Sequence, residues 1–254
     1  MKHNALVVED DFINQRFIRT VLQTKGINVE TAGNASEAIE FFEKNQYDIV
    51  FMDVNLPDKN GNDVTRQIRS IEKKLARPKV PIIALTAYDE EEARTDIDSA
   101  GMDGFIGKPF QDFHVEEMLK RFVYSKKRKE QQLRNNGEND NSTEENQKEK
   151  THIEKLQQIL GLPEDVLKPL IKEFIETTDE RIKGMRQANK DGNIIDLQHR
   201  AHKLKGSAAN LRFESISELA DKIEKSAASG TEKDYSDDIN NLENILAEVK
   251  KEVS

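Results

Sequence analysis

The feature that most constrains this fold is an alternation in the first half of the chain. Five short apolar runs, ALVV (5–8), INVETA (27–32), DIVFM (48–52), VPIIALTA (80–87) and GFIG (104–107), are separated by amphipathic stretches at about 12–24, 35–45, 62–76, 90–100 and 111–124. Strands and helices in strict alternation imply a parallel sheet covered on both faces. The first, third and fourth runs are nearly all apolar, as central strands buried on both sides require. Right-handed crossovers then leave few topologies.

The rest of the chain does not continue this pattern. Residues 125–150 hold almost no large apolar side chains, and such a segment cannot bury enough surface to offset its chain entropy. It is predicted to be a flexible linker, whose first part, KKRKEQQLR, can extend the preceding helix. Residues 151–254 show only helical periodicity, at about 152–160, 164–189, 193–210, 213–229 and 235–252. In the third of these, Ile194, Leu197, Ala201, Leu204, Ala208 and Leu211 recur every three or four residues, as on one face packed into a bundle. The expected domains are therefore 1–124, a linker over 125–150 and a helical bundle over 151–254. Met1 directly before the first strand favours a free-standing protein over the C-terminal piece of a larger kinase.

Composition narrows the chemistry. The chain has 254 residues, a net charge of −9 and no cysteine, which excludes disulfides, thiol catalysis and cysteine metal sites. Basic residues number 16 against 22 acidic ones in 1–124, and 16 against 20 in 151–254, which argues against nucleic acid as the main partner. No run approaches the roughly 20 apolar residues that span a bilayer, and the N-terminus lacks a secretory signal. The expected location is cytoplasmic, without a membrane partner.

Ligands of open parallel sheets bind at the carboxyl ends of the strands. Here those ends carry Glu9-Asp10-Asp11, then Asp53 followed by Val54-Asn55-Leu56-Pro57, then Thr86-Ala87, then Gly107-Lys108-Pro109. Converging carboxylates repel one another unless a cation joins them, and hard oxygen ligands suit a divalent ion such as magnesium. Thr86 can donate a hydrogen bond and Lys108 can pair with a carboxylate or a phosphoryl oxygen. The set suits phosphoryl transfer to a carboxylate, giving an acyl phosphate. Taken singly, each residue has a plainer reading: a strand-end Asp is usually a cap, a Lys-Pro a loop, a Thr a strand terminus.

At these spacings VVEDD, DVNLP, LTA and GKPF resemble the receiver domain of two-component response regulators, over about residues 3–124. The resemblance implies that Asp53 is the phosphoacceptor. It implies a Mg2+ site of Glu9, Asp10, Asp53 and the Asn55 backbone carbonyl, with Asp10 the direct ligand. Thr86, Ala87 and Lys108 would support the phosphoryl group, and Phe105 falls at the family's aromatic switch position. It also implies a cis Lys108–Pro109 bond. Asp11 lies beyond the acidic pair, where the family often has Asn, and is not expected to be a ligand.

In the second half, AHKLKGSAANL (201–211) carries Gly206 in mid-helix, which costs about 1 kcal/mol relative to alanine. His202, Lys205, Gly206 and Ala209 form a strip beside the apolar face. An imidazole with open backbone and a lysine next to it suits a tetrahedral phosphoryl group and the close approach of another protein. The plainer readings are an ordinary part-exposed histidine, a glycine for close helix packing, or a His199/His202 metal pair. HRAHKLKGSAANL resembles the histidine-phosphotransfer (HPt) domain, a four-helix bundle. That resemblance makes His202 the phosphohistidine, gives Lys205 the phosphoryl group to stabilise, and assigns Gly206 to docking.

Together these readings predict an α/β doubly wound receiver joined to an all-α HPt bundle, a phosphorelay protein in which phosphoryl groups pass between Asp53 and His202. It is not expected to be an enzyme in its own right: no glycine-rich ATP-binding segment or dimerising kinase helix appears. A histidine kinase or other receiver domains would be its partners. With roughly 5–6 Å times the square root of its length, the linker spans about 30 Å, which allows an intramolecular receiver–HPt contact. The alternatives are a phosphorylation-controlled binding switch or phosphate sink whose domains serve different partners, and a haloacid-dehalogenase phosphatase. The latter needs a second Asp where Asn55 stands.

Overall fold

A computed structural model of the chain describes residues 2–86, 90–109, 112–124, 152–160, 162–229 and 234–253. The expected linker and Ala87 lie outside them. The N-terminal unit alternates β1 (Asn4–Val8), α1 (Phe12–Thr24), β2 (Asn28–Ala32), α2 (Ala35–Lys44), β3 (Ile49–Asp53), α3 (Gly61–Lys74), β4 (Ile82–Thr86), α4 (Glu90–Ala100), β5 (Gly104–Gly107) and α5 (Asp112–Met118). The strands form one parallel sheet in the order β2-β1-β3-β4-β5. β4 starts two residues later than the apolar run, after Pro81, which has no N–H to give to a ladder. The last helix ends as a π-helical turn over Leu119–Tyr124, a change of winding that the sequence pattern did not signal.

The strands alternate between two cores, as the period of two demands. Ala5, Val7, Ile49, Phe51, Ile83 and Leu85 face α1 and α5, whereas Leu6, Val8, Val50, Met52, Ile82 and Ala84 face α2, α3 and α4. Local chemistry starts the helices. Asp11 Oδ1 accepts from the Asn14 N–H at the start of α1, and Asn34, Asn60 and Asn193 likewise cap α2, α3 and the helix that begins at Ile194.

The C-terminal unit is all helical: α6 (His152–Leu160), α7 (Glu164–Lys190), α8 (Ile194–Asn210), α9 (Glu214–Ala228) and α10 (Ser236–Val253). α7 to α10 form the bundle, with α6 packed on α7 and α10. Leu197, Ala201, Leu204, Ala208 and Leu211 are buried, with Ile194 packed beside them, on the face that the spacing predicts. Fully buried Phe174 and Tyr235 fill the bundle, where the Phe174 ring stacks on Phe213 at 4.8 Å between centroids.

The two units are in contact. α1 lies across α7 and α8, and the core on the α1 side of the sheet runs without a break into the bundle core. Among the described residues, no helix is long and apolar enough to cross a membrane.

Candidate functional site

The carboxyl ends of β1, β3 and β5 bring the acidic residues and Lys108 together. One carboxylate oxygen from each of Glu9, Asp10 and Asp53 falls within 4.8 Å of the others. Lys108 Nζ stands 2.8 Å from Glu9 Oε2 and 2.7 Å from Asp53 Oδ2. Glu9 and Asp53 are buried. Burial, then the Asp53 charge, pushes the Glu9 carboxyl well above its usual range against the pull of Lys108. Burial would lower the Lys108 ammonium, but its two carboxylate partners more than reverse this and raise it.

The walls are held by backbone. The Asn55 N–H donates to Asp53 Oδ1 at 3.0 Å, and the Lys108 N–H donates to the carbonyl of buried Thr86 at 2.6 Å. The Lys108–Pro109 bond is cis. Phe105 is half-buried in β5 against the α2–α4 core. Gly61, which sequence reasoning did not single out, closes the loop after β3. Its N–H donates to the Val54 carbonyl at 2.8 Å, and a β-carbon on it would lie 2.1 Å from the Asp53 carbonyl oxygen, closer than atoms can pack. The Asn-Gly pair at 60–61 was the available signal.

The bundle supplies the opposite wall. A cavity of about 650 Å³ lies between the units, lined by Asp53, Asn55 and Lys108 on one side and by His202, Lys205 and Gly206 on the other. The His202 side chain is 36% exposed, and its Nδ1 lies 2.8 Å from Glu224 Oε1 on α9. Burial would raise the Glu224 carboxyl, but His202 and then Lys205 hold it lower than usual. A carboxylate accepts only, so Nδ1 is the nitrogen that donates here, and in the neutral imidazole the free lone pair is then on Nε2. Lys205 is engaged sideways, 2.7 Å from Asp221 and 3.2 Å from Glu224. A β-carbon at Gly206 would meet only Asn14 Nδ2 of α1, at an ordinary 3.6 Å, so the glycine faces the first unit and not another bundle helix. His199 lines the same cavity, but no histidine belongs to a metal-competent cluster among the described residues.

Sequence reasoning missed the groups that join the two walls. Lys203 Nζ lies 2.8 Å from Asp10 Oδ2. Arg181 of α7 pairs with the buried Asp11 and donates to Ser207 Oγ at 2.8 Å. Asn210 Nδ2 donates to Asn14 Oδ1 at 2.8 Å, and Asn14 Nδ2 donates to Glu9 Oε1 at 3.3 Å. Asp11, set aside as a ligand, is instead both a helix cap and an ion-pair partner. None of the contacts between the two units has a local signature, because each joins positions far apart in the chain.

Comparison with known proteins agrees with this division. Residues 5–120 match the family model "Response regulator receiver domain" and residues 169–252 match "Hpt domain". The chain is 28% identical over 232 residues to the aerobic respiration control sensor protein ArcB of Escherichia coli K12, covering 87% of this chain and 27% of that protein. It is 37% identical over 121 residues to hybrid signal transduction histidine kinase L of Dictyostelium discoideum, covering 46% of this chain and 7% of that one. The chain thus spans well under a third of either relative. Among solved structures, the chemotaxis response regulator CheY4 of Vibrio cholerae is 27% identical, with 48% of this chain and 100% of that chain covered at a TM-score of 0.45.

Proposed function

As a receiver–HPt phosphorelay protein, this chain is one that, we propose, carries a phosphoryl group between Asp53 and His202 within a single molecule. Receiver and HPt domains are phosphotransfer modules and not kinases, so a histidine kinase domain or another phosphorylated carrier loads it. The observation that carries the reading is the shared cavity: the carboxylate at the end of β3 and the imidazole on α8 line the same space.

The residues divide the work. In transfer from histidine, an Asp53 carboxylate oxygen attacks phosphorus, the P–N bond breaks, and its electron pair returns to Nε2. The reverse step uses that same lone pair as the nucleophile. Glu224 holds the Nδ1 proton, which fixes the tautomer that leaves Nε2 free. Lys108 opposes the negative charge on Asp53 and on the transferring group, and Thr86 donates to a phosphoryl oxygen. The converging hard oxygens of Glu9, Asp10 and Asp53, with the Asn55 carbonyl, are the donor set of a magnesium site, and the ion would neutralise phosphoryl charge there. Lys205, held by Asp221 and Glu224, sets the charge around the imidazole.

The test uses a small acyl phosphate with magnesium, label being followed by its stability to acid and base, in wild type, Asp53→Ala and His202→Ala. The expected result is base-labile label on Asp53 and acid-labile label on His202 only when Asp53 is intact. An unlabelled Asp53 refutes the receiver chemistry. Label that stays on Asp53 refutes internal transfer and leaves two domains serving separate partners.

A further inference from the structure

The bundle addresses all three consecutive acids that follow β1, each with a different group. Asn210 reaches Glu9 through Asn14, Lys203 pairs with Asp10, and Arg181 pairs with Asp11. Of these, Asp10 alone is both held directly by a bundle cation and part of the carboxylate cluster competent for a metal. Lys203 is itself half-buried at this face. Its side chain is 24% exposed, and its own carbonyl is tied to Arg181 Nη1 at 3.3 Å.

The charges at this point conflict. Three carboxylates converge, and two ammoniums, Lys108 and Lys203, already stand against them. A divalent ion placed among the same oxygens meets Lys203 at close range in a part-buried site, where like charges repel more strongly than in water. We propose that docking of the helical bundle and binding of a divalent ion at the acidic rim are antagonistic in this chain, because Lys203 holds the Asp10 carboxylate that the ion requires. Lys203 is an internal counter-cation: it stabilises the docked chain, and a bound ion weakens docking without abolishing it. Linkage makes the effect reciprocal: the factor by which docking weakens ion binding is the factor by which a bound ion weakens docking. The inference rests on the magnesium site of the preceding section.

The experiment titrates the full-length chain with magnesium chloride in a calorimeter, at constant ionic strength and without any phosphoryl donor. Lys203→Met keeps the aliphatic stem and removes the charge; it is expected to bind magnesium about tenfold more tightly. Arg181→Ala touches no candidate ligand and loosens only the docked state, so it should also tighten binding, by a smaller factor. The chain lacks cysteine, so dyes at Gln46→Cys and Glu248→Cys report the separation of the units, which should grow as magnesium saturates the wild type. Equal magnesium affinity in wild type and Lys203→Met, or dyes that do not separate, overturns the antagonism while leaving the phosphoryl-transfer reading intact. No magnesium binding in any variant overturns the antagonism and the metal site together, whereas failure of transfer shows only in the label experiment.

Discussion

Glu9 occupies a position that favours chemistry over stability. Its carboxyl is buried beside Asp53, and both influences oppose its ionisation. A carboxyl whose folded pKa is raised binds more protons in the folded state than in the unfolded one. Its ionised form therefore lowers stability at neutral pH. The loss is relieved as pH falls through the folded pKa toward the ordinary value of 4.5. With metal chelated, Glu9→Gln should be more stable than wild type at pH 7, because it removes the buried charge. The gain should shrink as pH drops toward 5. Urea unfolding across that range measures it, and a gain that is absent or independent of pH counts against the assignment. The same variant should bind magnesium more weakly. Lys108 behaves oppositely: its raised pKa gives a contribution that is complete below about 10.5 and lost only as pH rises further.

At the scale of elements, the turn between β3 and α3 makes the sharpest demand. Because a β-carbon is fixed to the backbone, no rotamer relieves the 2.1 Å approach of Gly61→Ala to the Asp53 carbonyl. The loop would have to shift, and with it the Asn55 N–H that orients Asp53. Gly61→Ala should lose about 2 kcal/mol of stability, as overpacked sites do, and should slow labelling of Asp53 by an acyl phosphate. Wild-type values in both assays would refute the steric reading. This glycine also marks the boundary of what the sequence discloses. Strands buried on both faces announce themselves as continuous apolar runs, and β1, β3 and β4 follow them closely. The bundle face of α8 follows its three–four spacing, and the acidic strand ends and the HxLKG stretch pointed to the two groups proposed to react. Glu224 was invisible, because its role depends on α9 packing against α8 and not on any motif. Arg181 and Asn210 were invisible for the same reason: their partners Asp11 and Asn14 lie 170 and 196 positions away.

For the whole molecule, docking depends on a few polar contacts above a shared apolar core, so their coupling can be measured. Arg181 joins α7 and α8 to the start of α1 through Asp11, which is buried, and Arg16 adds a more exposed pair with Glu173 at 3.2 Å. Exposed pairs contribute little and are screened by salt, whereas part-buried ones are not. Removing one partner of a buried pair also strands the other charge. Asp11→Asn keeps an oxygen for the α1 cap and removes only the charge, which makes it the suitable partner for Arg181→Ala in a double-mutant cycle. Each single variant should shift the population toward separated units, seen as a larger radius of gyration in solution scattering and a slower transfer between Asp53 and His202 than in wild type. The double variant should be no worse than the more damaging single one, with a coupling energy of about 1–3 kcal/mol. Arg16→Ala, by contrast, should leave both readouts near wild type at physiological salt. Strictly additive effects of Arg181→Ala and Asp11→Asn would mean that the pair does not hold the units together, and that the apolar contact of α1 with α7 and α8 is sufficient by itself.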